Sequence, residues 1–229
     1  MPPPIPATSD GARALTRVIK NGDVETLGEM LGADPGVALI QINDGTCVRS
    51  TLHLATDWPG KRANAGKVIA MLVDAGCDPD VRAIGPHSET PLHWAASADD
   101  IEAIDALVAS GADLEVEGAV IGGLTPLADA VGFGQRQAAQ RLVEHGAAIN
   151  FWQAAALGRT DLIETGIADE TAESITNAFW VACSWGCSET AALLSANGAD
   201  RDWVGHDGLT PRAAAEREGH DDIVTWLDS

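Results

Sequence analysis

Positive charge is scarce in this chain. Fourteen lysines and arginines stand against 34 aspartates and glutamates, giving a formal net charge of −20 over 229 residues. A field of that sign repels phosphate backbones, so nucleic acid is not an expected partner. It either steers a basic partner inward or simply keeps the surface soluble. Cysteine is sparse as well. Cys47, Cys77, Cys183 and Cys187 form no Cys-x-x-Cys pair, which gives no zinc spacing and points to free, mostly buried thiols in a reducing compartment. No apolar run approaches the roughly 18 residues that a membrane span needs. The opening Met1-Pro2-Pro3-Pro4-Ile5-Pro6 lacks the basic and apolar regions of a secretory signal. A nucleophile elbow, an HExxH helix, a P-loop and a dinucleotide-binding glycine pattern are all missing. These absences point to a cytoplasmic protein with no metal, no cofactor and no membrane association.

What is present is a recurring phrase. Thr90-Pro91-Leu92-His93-Trp94-Ala95-Ala96 is followed by Leu107-Val108-Ala109-Ser110-Gly111-Ala112-Asp113. Thr90 can cap a helix, Pro91 suits the first helical position, and Gly111 supplies a left-handed helix end. The alanines let neighbouring helices approach closely. Similar phrases open at Ser50-Thr51-Leu52-His53, Thr125-Pro126-Leu127, Phe151-Trp152-Gln153, Phe179-Trp180-Val181 and Leu209-Thr210-Pro211. Near the N-terminus, apolar residues at helical spacing flank Asn21-Gly22-Asp23, which reads as helix, turn, helix. Residues 37–49 read as a loop with a turn at Asn43-Asp44-Gly45. The second unit carries five extra residues, Pro59 to Ala63, between its helices, and Pro59-Gly60 makes them a protruding turn.

Thr90-Pro91-Leu92-His93 with Gly111-Ala112-Asp113, and Asp207-Gly208-Leu209-Thr210-Pro211 with Gly219-His220, resemble the ankyrin repeat, whose period is about 33 residues. The resemblance implies an all-α repeat solenoid of six to seven helix-turn-helix units with short hairpin or loop fingers. The units fall near 10–34, 50–80, 90–115, 125–150, 151–168, 172–202 and 207–228, forming one domain over 10–229 after a leader at 1–9. Physics supports the same arrangement, because a lone helix pair cannot bury its apolar face and must stack on a neighbour.

In such repeats the fingers and inner helices line a concave, partner-binding surface. Aligning the units places Trp94, Asp129 and Gln153 one position after the motif histidine. Trp58, Phe133 and Trp185 fall four residues beyond that position in their own units, on the same side of the inner helix. These six residues, Trp58, Trp94, Asp129, Phe133, Gln153 and Trp185, are the candidate partner-binding set. Tryptophan is enriched at interface hot spots, and a carboxylate among aromatic rings needs a partner. Trp152 and Trp180 read as gap-filling rings. His53 and His93 are expected to bond backbone in the adjoining loop, as the resemblance implies, while His87, His145, His206 and His220 lie in loops or turns without ligand spacing.

Three functions follow from these residues. The first is a non-catalytic protein-binding module for a basic partner, acting as a monomer. The second is a small-molecule or unusual enzymatic site around Trp94, Asp129 and Gln153, covered by the loops 81–89 and 115–124, each two residues longer than the repeat requires. The third is an architectural subunit that assembles through Trp203, Trp226 or an end unit.

Overall fold

A computed structural model describes residues 3–205 and 207–229. Met1 and Pro2 of the leader, together with His206, lie outside the described residues. Two compact units make up the chain, Met1–Ala148 and Ile149–Ser229.

In the first unit the helices are α1 (Asp10–Lys20), α2 (Val24–Ala33), α3 (Thr51–Thr56), α4 (Ala65–Asp74), α5 (Pro91–Ser97), α6 (Ile101–Ala109), α7 (Pro126–Gly132) and α8 (Arg136–Glu144). They form four antiparallel pairs. The inner helices α1, α3, α5 and α7 pack in sequence, as do the outer helices α2, α4, α6 and α8. Small residues make this close stacking possible. Ala55, Ala95, Ala96, Ala128 and Ala130 are buried on the inner helices, while Leu27, Leu72, Leu107 and Leu142 fill the space beneath the outer ones. Each fully buried leucine contributes about 1.5–3 kcal/mol relative to exposure.

The repeat period appears directly in the hydrogen bonds. Asp80 accepts from the Asp113 amide at 3.0 Å, and Glu115 accepts from the Ala148 amide at 2.8 Å. Both pairs are 33 residues apart, one repeat period. The motif histidines bridge consecutive units. His53 Nε2 bonds the Glu89 carbonyl at 3.1 Å, and His93 Nε2 bonds the Leu124 carbonyl at 3.2 Å. In each ring Nδ1 accepts from its own N-cap amide, of Ser50 or Thr90. Nε2 therefore carries the proton and donates.

The segment read as a loop at 37–49 is more ordered than expected. It contains a 3-10 turn over Pro35–Leu39 and the hairpin β2 (Gln41–Asn43) and β3 (Val48–Ser50). Asn43 and Asp44 side chains accept from the turn amides of Gly45, Thr46 and Cys47, closing the turn locally. From the leader, β1 (Ile5–Pro6) adds parallel to β2.

The insertion at 57–64 does more than protrude. Gly60 packs against the Ala98 side chain, and the Lys61 amide donates to the Asp100 carboxylate. Asn64 Nδ2 donates to the Gly22 carbonyl at 3.0 Å. The loop thus ties the repeat before it to the repeat after it.

The second unit holds α9 (Phe151–Ala156), α10 (Thr160–Gly166), α11 (Ala172–Trp185), α12 (Ser188–Ala196), α13 (Pro211–Arg217) and α14 (Asp221–Leu227). Here α11 lies between α9 and α13. It begins two turns before Phe179, where the apolar phrase starts, because Thr171 caps it and Ile175 and Ala178 extend its buried face. Its core gathers Phe179, Ile163, Leu194 and Ile223, with the Phe179 ring edge-on to Trp226 at 6.3 Å.

Among the described residues, no helix is long and apolar enough to cross a membrane, and no group of three metal-ligating side chains is present. None of the four cysteines is in a disulfide, and burial pushes the Cys183 thiol up to about 12.

Candidate functional site

The six aligned residues divide by exposure. Trp58, following α3, is 78% exposed, and Phe133, the C-cap of α7, is 47% exposed. Both occupy the same position in their repeats, and the intervening repeat carries the small Ala98 there. The loop bearing Trp58 is anchored on both sides, with Arg62 also donating to the Asp57 carbonyl at 2.9 Å.

Trp94 is half-buried on α5. One ring edge meets His53 at 4.8 Å and 73°, and its indole N–H donates to Glu89 Oε2 at 3.1 Å. Asp129 on α7 is fully buried. Its Oδ1 accepts from the Ile121 amide at 3.2 Å, whereas Oδ2 meets no donor. The carboxyl next to it belongs to Glu89. Both groups are acceptors when ionised, so a bond between them needs a proton on one. Burial first, opposed by the Ile121 amide and reinforced by the neighbouring Glu89 charge, pushes Asp129 up to about 7. Burial also raises Glu89, against the Trp94 hydrogen bond.

The sequence expectation gave Asp129 a partner-facing role. Instead it fastens the finger 118–124 to the inner helix. Within that finger, Gly118 and Ala119 amides bond the Leu124 carbonyl at 3.0 and 2.8 Å. The Ile121 side chain lies so close to Gly132 that an added Cβ would sit 2.6 Å from it. Glu89 and Ile121, which complete this arrangement, were not among the sequence candidates. Neither belongs to the repeated phrase, and the contact joins residues from two different fingers.

In the second unit, Gln153 is buried at the third position of α9. The Asn150 amide donates to Gln153 Oε1 at 2.9 Å, and the Gln153 amide donates to Asn150 Oδ1 at 3.0 Å. This reciprocal cap matches the one Thr90 makes with His93. Gln153 therefore corresponds to the motif histidine, one place earlier than the sequence alignment put it. One residue turns a side chain about 100° around a helix, which moves it from the expected groove into the cap. Trp185 ends α11 and is buried, at 8% exposure. Trp180 fills space against Gly205, and its Nε1 donates to the Leu209 carbonyl at 2.8 Å.

A hollow of about 620 Å³ lies among Ala38, Cys77, Val81, Arg82 and Ile84. None of the six candidates lines it.

Helix pairs at a period near 33, histidines reaching from two N-caps to the next finger, and glycine-ended outer helices define a helical repeat protein. Residues 52–153 match the family model for ankyrin repeats in three copies, so this stretch of the chain is built of ankyrin repeats. Over 157 residues, 62% of the chain, it is 27% identical to an ankyrin repeat and KH domain-containing protein of Caenorhabditis briggsae. The chain spans about 6% of that relative's length. The ankyrin repeat domain of human ASB11 superposes with a TM-score of 0.56 at 18% identity, covering 94% of this chain and 97% of that one. That likeness is one of fold. Ankyrin repeats as a class are protein–protein interaction modules.

Proposed function

We propose that this protein is a non-catalytic binding module that grips a basic protein partner along the ends of its inner helices. The observation that carries the reading is the exposed pair Trp58 and Phe133, placed at one repeat position on a scaffold whose other large rings are buried or half-buried. Trp58 stands on a loop already held to both neighbouring repeats. Less side-chain and loop freedom is therefore lost when a partner covers it. The Trp94 edge contributes between them, and the −20 charge supplies attraction and on-rate for a basic surface. Asp129, Gln153 and Trp185 support the scaffold from inside, since all three are buried. The small-molecule reading around Trp94, Asp129 and Gln153 finds less support, because Asp129 has no exposed surface and is capped by the finger.

The test is affinity purification of the tagged chain from its native cell, alongside a Trp58→Ala/Phe133→Ala variant. A protein held by the wild type should be lost from the variant, with the variant's Tm within about 2 °C, because exposed substitutions cost little. An unchanged complex with the double variant would overturn the assignment of this surface.

A further inference from the structure

A fully buried carboxyl with one oxygen lacking a donor is costly unless that oxygen is itself protonated. Asp129 Oδ2 is such an atom, and the group that interacts with its carboxyl is that of Glu89, already oriented by the Trp94 indole N–H. We infer that Asp129 and Glu89 share one proton, Asp129 donating from Oδ2 to Glu89, and that this proton latches the finger 118–124 onto α7.

The remaining groups around the pair offset a second negative charge only in part. His87 acts on Glu89 from the preceding finger and is exposed. Burial holds His93 neutral, pushed down to about 4, and its Nε2 is committed to the Leu124 carbonyl. Arg82 donates to the Ser88 and Glu117 carbonyls at 2.8 and 2.6 Å, bridging the two fingers. In the first unit, therefore, release of the shared proton to solvent leaves two buried carboxylates side by side, and like charges at that range repel strongly. The cheapest relief is for the finger to lift, because its hold on α7 is the Ile121 amide and the Ile121 side chain over Gly132. Lifting admits water to Asp129.

Asp129→Asn is the natural probe. Its amide N–H₂ replaces the shared proton towards Glu89, and its oxygen can still accept from Ile121. Hydrogen exchange of the 118–124 amides, corrected for intrinsic rates, is measured on the full chain at pH 5.5 and pH 8.5. Wild-type protection should fall roughly tenfold or more at the higher pH, while the Asp129→Asn finger stays protected at both. Equal wild-type protection at the two pH values would overturn the latch, as would an identical loss in both proteins. A carboxyl ¹³C titration of the wild type gives an independent reading. A midpoint near neutrality is expected for Asp129, and a midpoint below pH 5 would sink the proposal. Neither measurement involves a partner, so the latch and the binding surface succeed or fail separately.

Discussion

His53 and His93 are buried bases held neutral, and burial pushes both down to about 4 from 6.5. In the unfolded chain they take up protons near 6.5, whereas in the folded chain they do so only near 4. The stability they contribute is fully present above pH 6.5 and is lost as the pH falls towards 4. Asp129 has the opposite sign, because a raised carboxyl favours the folded state at low pH and loses that advantage as pH rises from about 4 to about 7. The two effects oppose each other over the same window, so the wild type should show a shallower acid loss than its histidines alone would give. The fifth repeat shows how to separate them, since Gln153 fills the histidine's place in the cap without titrating. His93→Gln should flatten the fall in Tm between pH 6.5 and pH 4 while costing about 1–3 kcal/mol at pH 7 from the weakened bond to the next finger. Thermal melts across that range check both parts.

At the scale of elements, each finger is fixed by the helix it leans on. Gly132 is the last residue of α7, and a Cβ there would stand 2.6 Å from Ile121. Alanine at this position favours the helix by up to about 1 kcal/mol, yet it pushes Ile121 away. Gly132→Ala should therefore leave the global Tm nearly unchanged while removing hydrogen-exchange protection from 118–124. A uniform loss across α7 and α5 would show instead that the helix had been disturbed. Helix pairs were legible in the sequence wherever a threonine-proline start and a glycine stop bracketed them, as in Thr90 to Gly111. The start of α11 was not, because residues 172–178 carry a mixed polar sequence and only the packing of Ile175 and Ala178 assigns them to the helix. Gln153 was misaligned because its N-cap is Asn150, outside the repeated phrase. The Glu89–Asp129 contact is forty residues long in sequence and crosses two fingers of irregular length, so no periodicity could announce it. Exposure was equally hidden. Trp58 and Trp185 share a repeat position by alignment, yet one faces water and the other is enclosed by its own unit.

For the whole molecule, the dominant long-range quantity is charge. A formal −20 on 229 residues destabilises the compact state by self-repulsion, and salt screens that repulsion over about 10 Å at 0.1 M. Raising NaCl from 20 mM to 0.5 M at pH 7 should increase Tm by roughly 2–4 °C, equivalent to about 1 kcal/mol. Near pH 4.4, the sequence isoelectric point, the same addition should do little. A salt-independent Tm at pH 7 would mean that local ion pairs, such as Arg141 with Asp105, already absorb the field.

Stacked repeats resist peeling only through nearest neighbours, so a tug on the first helix pair would be expected to detach that pair alone. The loop 57–64 alters this. It grips the turn between α1 and α2 through Asn64 and the edge of the third repeat through Lys61. A force applied at α1 is thereby shared with α5, and the first three repeats should yield together as one larger event in a single-molecule stretching trace.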